Sequence, residues 1–176
     1  MGSNTNKLIR ASLMLAVAIV FQIIGRNIPE INQFLVGSAI NCILILTAFL
    51  CGRWWGVGVG ILTPVLAWLV GQLNPVLAPF IPFIMVGNFF FVFLFSMFSQ
   101  EKLTKRGIGV ITGALLKFGF LTLASSKLVY VFKLNLPSKV LTALAVSMSL
   151  PQLITALIGG TLGLIIIELL VKRKVI

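Results

Sequence analysis

Residues 89–95, Phe-Phe-Phe-Val-Phe-Leu-Phe, are apolar at every position. A strand of a transmembrane barrel alternates polar and apolar side chains over about ten residues. A transmembrane helix needs about 20 mostly apolar residues in succession, because lipid offers no hydrogen-bond partner and a helix pairs its own backbone groups. The stretch is apolar on every side and lies within a longer apolar run, so it predicts a membrane-spanning helix.

The rest of the chain has the same character. Of its 176 residues, 59% are hydrophobic and only 10% are charged, which is too apolar for a surface that faces water. Polar breaks separate six apolar stretches, which predict spans at 8–25, 34–52, 54–72, 77–99, 107–131 and 139–171. We therefore predict an all-α integral membrane protein, a compact bundle of six transmembrane helices that forms one domain over residues 1–176. Residues 1–6 are polar and are predicted to be disordered or derived from a vector.

The positions of the basic residues predict the orientation in a bacterial cell membrane. If both termini are cytoplasmic, nine basic residues lie inside: Lys7, Arg10, Arg53, Lys102, Lys105, Arg106, Lys172, Arg173 and Lys174. Four lie outside, namely Arg26, Lys127, Lys133 and Lys139, and Lys117 lies within the fifth span. Short cytoplasmic loops retain positive charge, so this distribution favours cytoplasmic termini. Topology also explains most of the net charge of +11, and no nucleic-acid partner is predicted.

The residue types that the chain lacks exclude most catalytic chemistry. It has no His and no Asp, and its only acids are Glu30, Glu101 and Glu168. A Ser-His-Asp triad, a His-based metal centre and an intramembrane carboxylate pair are therefore ruled out, and we predict neither a metal site nor a cofactor. No phosphate-binding loop of the Gly-x-x-x-x-Gly-Lys-Ser/Thr type is present, so energised transport would depend on another subunit. Glu168 is predicted to pair with Lys172 on the same helix.

Carboxamide side chains cluster at one depth of the predicted bundle. Counted from the outer face, Asn41 lies about seven residues deep and Asn88 about eleven, and Gln152 reaches a middle depth. Near the outer ends lie Gln22, Arg26, Gln72 and Asn74. Burying an amide without a partner costs roughly 2 kcal/mol or more, so these groups should converge on one another or on a ligand. They predict a polar cavity that faces outward.

Lys117 lies about ten positions from either end of an apolar helix, where an ammonium group is costly. The sequence places no acid to neutralise it. A ligand carboxylate or phosphate would be a natural partner, with Arg26 and Lys127 adding to the positive field. The alternative is that Lys117 binds backbone carbonyls or extends to the interface. Trp68 is deep enough to stack on a ligand, but packing in the core or against lipid explains it equally well.

Small residues and prolines predict how the helices pack. The pairs Ser12/Ala16 and Gly159/Gly163 allow close approach of helix backbones, either within the chain or with another subunit. Three prolines fall within predicted spans, where kinks free carbonyl groups and often border cavities: Pro64, Pro82 and Pro151.

Over nearly its whole length, the chain resembles the substrate-binding S component of an energy-coupling factor (ECF) transporter. The resemblance rests on the size, the six spans, the basic opening Lys-Leu-Ile-Arg-Ala-Ser at residues 7–12, and the fourth-span stretch Pro-Phe-Ile-Pro-Phe-Ile-Met-Val-Gly-Asn at residues 79–88. It also rests on the small pair in the first helix. That helix often carries Ala-x-x-x-Ala in the family, and here Ser12 replaces the first alanine.

The resemblance implies a high-affinity receptor for a vitamin or similar micronutrient that works with a transmembrane scaffold subunit and two cytoplasmic ATPases. Such a chain is not an enzyme. It implies that the receptor topples in the bilayer during transport, that Ser12 and Ala16 contact the scaffold, and that residues 27–34 form a lid over the site.

The charges narrow the choice of solute. A cavity with Lys117 and possible contributions from Arg26 or Lys127 favours an anionic solute such as pantothenate, folate or biotin. Neutral rings such as pyridoxine or riboflavin would instead rely on the uncharged candidates, Asn41, Asn88, Trp68 and Gln152. Two other classes stay open: a membrane-embedded enzyme acting on lipid or isoprenoid substrates, and a passive channel or scaffold protein without a tight ligand.

Overall fold

Long α-helices follow one another through the described part of the chain, residues 2–134 and 136–174; the side chains of residues 2, 3 and 29–32 are not described. The computed structural model contains α1 (Gly2–Asn27), α2 (Pro29–Cys51), α3 (Arg53–Leu69), a 3₁₀ helix (Pro75–Phe80), α4 (Ile81–Phe98), α5 (Leu103–Leu123), a π-helical segment (Ala124–Leu128), the single turn α6 (Val129–Val131), α7 (Ser138–Ser147) and α8 (Leu150–Lys172). The described residues include no strand, which confirms the prediction of an all-helical chain.

Five stretches of the described residues are long and apolar enough to cross a membrane: Asn4–Asn27, Gln33–Cys51, Pro75–Phe98, Leu103–Val131 and Ser138–Lys172. The predicted third span corresponds to α3, which has only 17 residues. A helix of that length rises about 26 Å, slightly less than the roughly 30 Å of bilayer hydrocarbon. The six predicted helices are therefore found as five long ones and a shorter α3.

The predicted sixth span, 139–171, consists of two helices. Ser149 adopts φ −101° and ψ −125°, outside the helical region, and separates α7 from α8. Pro151 lies in the first turn of α8 and Pro82 in the first turn of α4, where a missing N–H leaves no helical hydrogen bond unmade. Of the three, Pro64 alone lies in the interior of a helix, α3. Of the three prolines predicted to kink spans, two instead begin helices.

The structure also differs from the sequence-based prediction near the start of the chain. Residues 2–6, predicted to be disordered or derived from a vector, lie in the first turns of α1, and extending an established helix by a few residues costs little. Met1 lies outside the described residues. The lid predicted at residues 27–34 is mostly helical, since α2 begins at Pro29, and proline favours the first turn of a helix.

The central helix is α2, which packs against α1, α3, α4 and α8. Its residues 41–48 are all buried. Gly159 lets α8 approach it closely, since a Cβ atom there would lie 2.2 Å from the backbone oxygen of Ser38. A Cβ atom on Gly163 would lie 2.9 Å from the side chain of Ile45. The glycine pair therefore forms a seam within the chain.

Two ion pairs lie at the end of the bundle that carries the chain termini. Arg106 Nη1 lies 2.7 Å from Glu168 Oε1 and joins α5 to α8. Lys105 Nζ lies 3.0 Å from Glu101 Oε2. The prediction that Lys172 pairs with Glu168 is wrong, because Arg106 on the neighbouring helix α5 contacts that carboxylate. Both described carboxylates are thus paired at this end.

Candidate binding cavity

A cavity of about 340 Å³ opens at the end of the bundle remote from the termini. It lies where α1 and α3 end and where α2, α4 and α8 begin, and α5 closes one wall. Its polar lining consists of Gln22, Gln33, Asn41, Thr63, Gln72, Asn74, Asn88, Lys117, Ser147 and Gln152. Pockets for small molecules are typically 300–1,000 Å³, so this one suits a small solute.

Lys117 is the only charged residue that lines this cavity among the described residues. Its Nζ atom donates a hydrogen bond to Asn41 Oδ1 at 2.8 Å, and Asn41 Nδ2 in turn donates to the backbone oxygen of Gly37 at 2.9 Å. The ammonium also lies 5.5 Å from the centroid of the Phe91 ring, within the range of a cation–π contact. Only 3% of Lys117 is exposed. The lysine is therefore held in place by neutral groups.

No described carboxylate balances this buried ammonium. Glu101 and Glu168 are paired at the opposite end of the bundle, and the side chain of Glu30 lies outside the described residues. An ammonium has three N–H donors, and one of them is used by Asn41. Two donors are left without a described hydrogen-bond acceptor. An anion in the cavity would accept hydrogen bonds from them.

Pro64 shapes the wall formed by α3 and α4. Because proline has no N–H, the backbone oxygen of Gly60 lacks its usual helical donor. Asn88 Nδ2 donates to that oxygen at 2.8 Å, and Thr63 Oγ1 donates to it at 3.1 Å. The interruption in α3 thereby fixes the side chain of Asn88 at the cavity wall.

Gln22 reaches the same wall from α1. Its Nε2 atom donates to the backbone oxygen of Thr63 at 3.0 Å. Its Oε1 atom is buried and accepts no hydrogen bond from any described group, although the residue is only 2% exposed. A buried acceptor without a partner is costly, so this oxygen is available to accept a hydrogen bond from a solute or from water.

The rim of the cavity is tied across two helices. Gln33 Nε2, near the start of α2, donates to the backbone oxygen of Ser147 at the end of α7 at 2.7 Å. Beyond this contact lies a second cavity, of about 820 Å³, which shares Gln33, Ser147, Asn74 and Leu77 with the first. Lys139 is the only charged residue among its described lining residues.

Four of the seven residues predicted from the sequence to bind solute line the cavity: Asn41, Asn88, Lys117 and Gln152. The other three do not. Arg26 is exposed, and its Nη1 atom donates to the backbone oxygen of Val70 at 3.0 Å. Trp68 is 39% exposed, and Lys127 is exposed on the π-helical segment. Counting residues gave the depth of these side chains correctly but could not give the helix face on which they lie.

Sequence analysis did not assign Gln33, Thr63 or Ser147 to the cavity. A signal for Gln33 was present, because it precedes Gly37 by four residues and Asn41 by eight, which places all three on one face of α2. Thr63 stands next to Pro64, a residue already associated with a cavity. Nothing in the sequence singles out Ser147, since its contribution depends on the break between α7 and α8.

The fold and the cavity define a class of helical-bundle protein with a polar cavity of small-molecule size. The model of the family described as "ECF transporter, substrate-specific component" matches residues 6–171, and the chain belongs to this family. It is thus a membrane-embedded, substrate-binding subunit of an ECF importer, it is not an enzyme, and it works with a scaffold subunit and ATPases. Comparisons with curated proteins and with solved structures found no match.

Proposed function

We propose that this subunit is a high-affinity receptor for a small anionic micronutrient of the pantothenate, folate or biotin class. The observation that carries the proposal is Lys117, a cation that is 3% exposed, lines the cavity and has no described carboxylate beside it. Burying a charge is favourable only when the charge is paired. The anionic group of the solute provides that pair when it enters.

The cavity residues have distinct roles in this proposal. Lys117 binds the anionic group, and Asn41 orients Lys117 through their 2.8 Å hydrogen bond. Asn88 and Gln152 line the remaining wall and contact the polar part of the solute. The volume of about 340 Å³ favours pantothenate or biotin over the larger folate.

The orientation of the chain would expose the cavity to the outside of a bacterial cell. Nine basic residues lie at the end of the bundle with the termini and four at the end with the cavity, so the rule of positive cytoplasmic loops places the termini inside. Transport then follows the toppling of the subunit against its scaffold. Ser12 and Ala16 are exposed on α1, as a contact with the scaffold requires.

Isothermal calorimetry on the purified chain without ATP tests the proposal, with pantothenate, folate, biotin, riboflavin, pyridoxine and thiamine as ligands. One of the anionic vitamins is expected to bind, and Lys117→Met should weaken its binding at least about 30-fold, because losing one partner of a buried charge pair costs about 2–5 kcal/mol.

Lys127→Met is the matched control. It removes the same charge from an exposed site outside the cavity, so binding should be unchanged. Equal binding by wild-type protein and Lys117→Met, or binding of thiamine alone, would show that the proposed recognition is wrong.

A further inference from the structure

The orientation of three side-chain amides that line the cavity is set by the backbone. Gln22, Asn41 and Asn88 each donate their NH₂ group to a backbone carbonyl, at 3.0, 2.9 and 2.8 Å. A carbonyl oxygen can only accept a hydrogen bond. Turning any of these amides over would bring two oxygens together, so each amide oxygen must point away from the backbone contact.

These oxygens give the cavity a definite polarity. Asn41 Oδ1 already accepts a hydrogen bond from Lys117. Gln22 Oε1 is buried and accepts none from a described group. Asn88 donates through Nδ2 to the backbone, which leaves its Oδ1 on the other side of the amide. Two acceptors are therefore available at the wall where α1, α3 and α4 meet, whereas the ammonium is held between α5 and α2.

We infer that the solute carries hydrogen-bond donors, such as hydroxyl or N–H groups, in addition to its anionic group. This inference rests on the proposed function, since it describes the occupant of the same cavity. The anionic group binds Lys117, and the donors bind Gln22 Oε1 and Asn88 Oδ1. A carboxylate without donors would leave a buried amide oxygen unpaired, at a cost of about 1–3 kcal/mol.

A panel of small molecules sorted by these two features tests the inference on the wild-type chain. Pantothenate and biotin carry a carboxylate and donors, nicotinate and lipoate carry a carboxylate without a strong donor, and pantothenol and pyridoxine carry donors without a carboxylate. Calorimetry should find the tightest ligand in the first pair, with the second pair at least about 10-fold weaker, the factor expected for one unpaired buried acceptor.

The outcomes separate this inference from the proposed function. If nicotinate or lipoate binds as tightly as the first pair, water satisfies the amide oxygens and the inference is wrong, although an anion receptor stands. Tightest binding of pantothenol or pyridoxine, or no binding by any compound of this panel or by folate, overturns the proposed function and the inference with it.

Variants of α1 locate the effect. Gln22→Met keeps the length of the side chain and removes the acceptor, and it should weaken binding of the pantothenate or biotin ligand about 10-fold. Asn6→Leu removes an exposed amide of the same helix at the end remote from the cavity, so binding should not change. Unchanged binding by a folded Gln22→Met protein contradicts the inference, and the wild-type panel decides the matter if that variant does not fold.

Discussion

Lys117 is the residue whose cost to the stability of the fold is most evident. It is 3% exposed, and its described partners are one amide oxygen and one aromatic ring. The effective penalty for taking an ion out of water is several kcal/mol, whereas a hydrogen bond to a charged group returns about 1.5–3 kcal/mol. Without a bound anion, this ammonium therefore lowers the stability of the fold.

Replacing this charge should separate stability from binding. Lys117→Met removes the ion but leaves Asn41 Oδ1 unpaired, so Lys117→Met/Asn41→Leu is expected to exceed the wild type by about 1–4 kcal/mol in unfolding free energy without solute. Thermal unfolding in detergent measures this, with Lys127→Met expected within about 0.5 kcal/mol of wild type. A double variant less stable than the wild type would mean that Lys117 is well compensated in the empty protein.

At the scale of elements, the seam between α2 and α8 is a close contact between helix backbones in the described core. A methyl group on Gly159 would lie 2.2 Å from the backbone oxygen of Ser38, which cannot move without displacing α2. Gly159→Ala should therefore destabilise the protein by about 1–3 kcal/mol, the usual cost of overpacking. The unfolding midpoint in detergent provides the measurement.

Gly58 in α3 gives a matched control for that substitution. A Cβ atom there meets nothing within 4 Å. Gly58→Ala should be neutral or should stabilise by up to about 1 kcal/mol, because alanine loses less backbone entropy in a helix. Equal effects of the two substitutions would indicate that helix propensity, and not the seam, determines the result.

Sequence analysis predicted the helices better than their interruptions. Runs of apolar residues identify the five long helices and the shorter α3, because a segment surrounded by lipid must pair its own backbone groups. They could not show that α7 and α8 are separate, since Ser149 lies in an apolar region and breaks the helix through its backbone dihedrals. For the same reason Ser147, which enters the cavity only because of that break, was not predicted.

The cavity residues show a similar division. Depth along a helix is available from counting, and it correctly grouped Asn41, Asn88 and Lys117. Which face of a helix lines the cavity depends on how the helix packs against its neighbours. Counting does not give this face, so Arg26 and Trp68 were included among the predicted binding residues. Neither residue lines the cavity.

For the whole molecule, the distribution of charge predicts which side the cavity faces. Single cysteines in place of Lys133 and Lys174 test this in intact cells with a membrane-impermeant maleimide, and the native Cys42 and Cys51 are both buried and should react little. Position 133 should be labelled from outside, and position 174 only after the cells are permeabilised. Labelling of position 174 in intact cells would show that the topology is the opposite of the predicted one.

The walls of the cavity come from nearly every long helix, with Gln22 on α1, Asn41 on α2, Asn88 on α4, Lys117 on α5 and Gln152 on α8. A solute that contacts all of them links these helices, so separating any one helix from the rest requires the solute to dissociate first. At a free concentration of 100 times its dissociation constant, such a solute adds about 2.7 kcal/mol to the free energy of unfolding. Occupied receptors should therefore outlast empty ones in the cell, so that nutrient supply itself adjusts how much receptor persists.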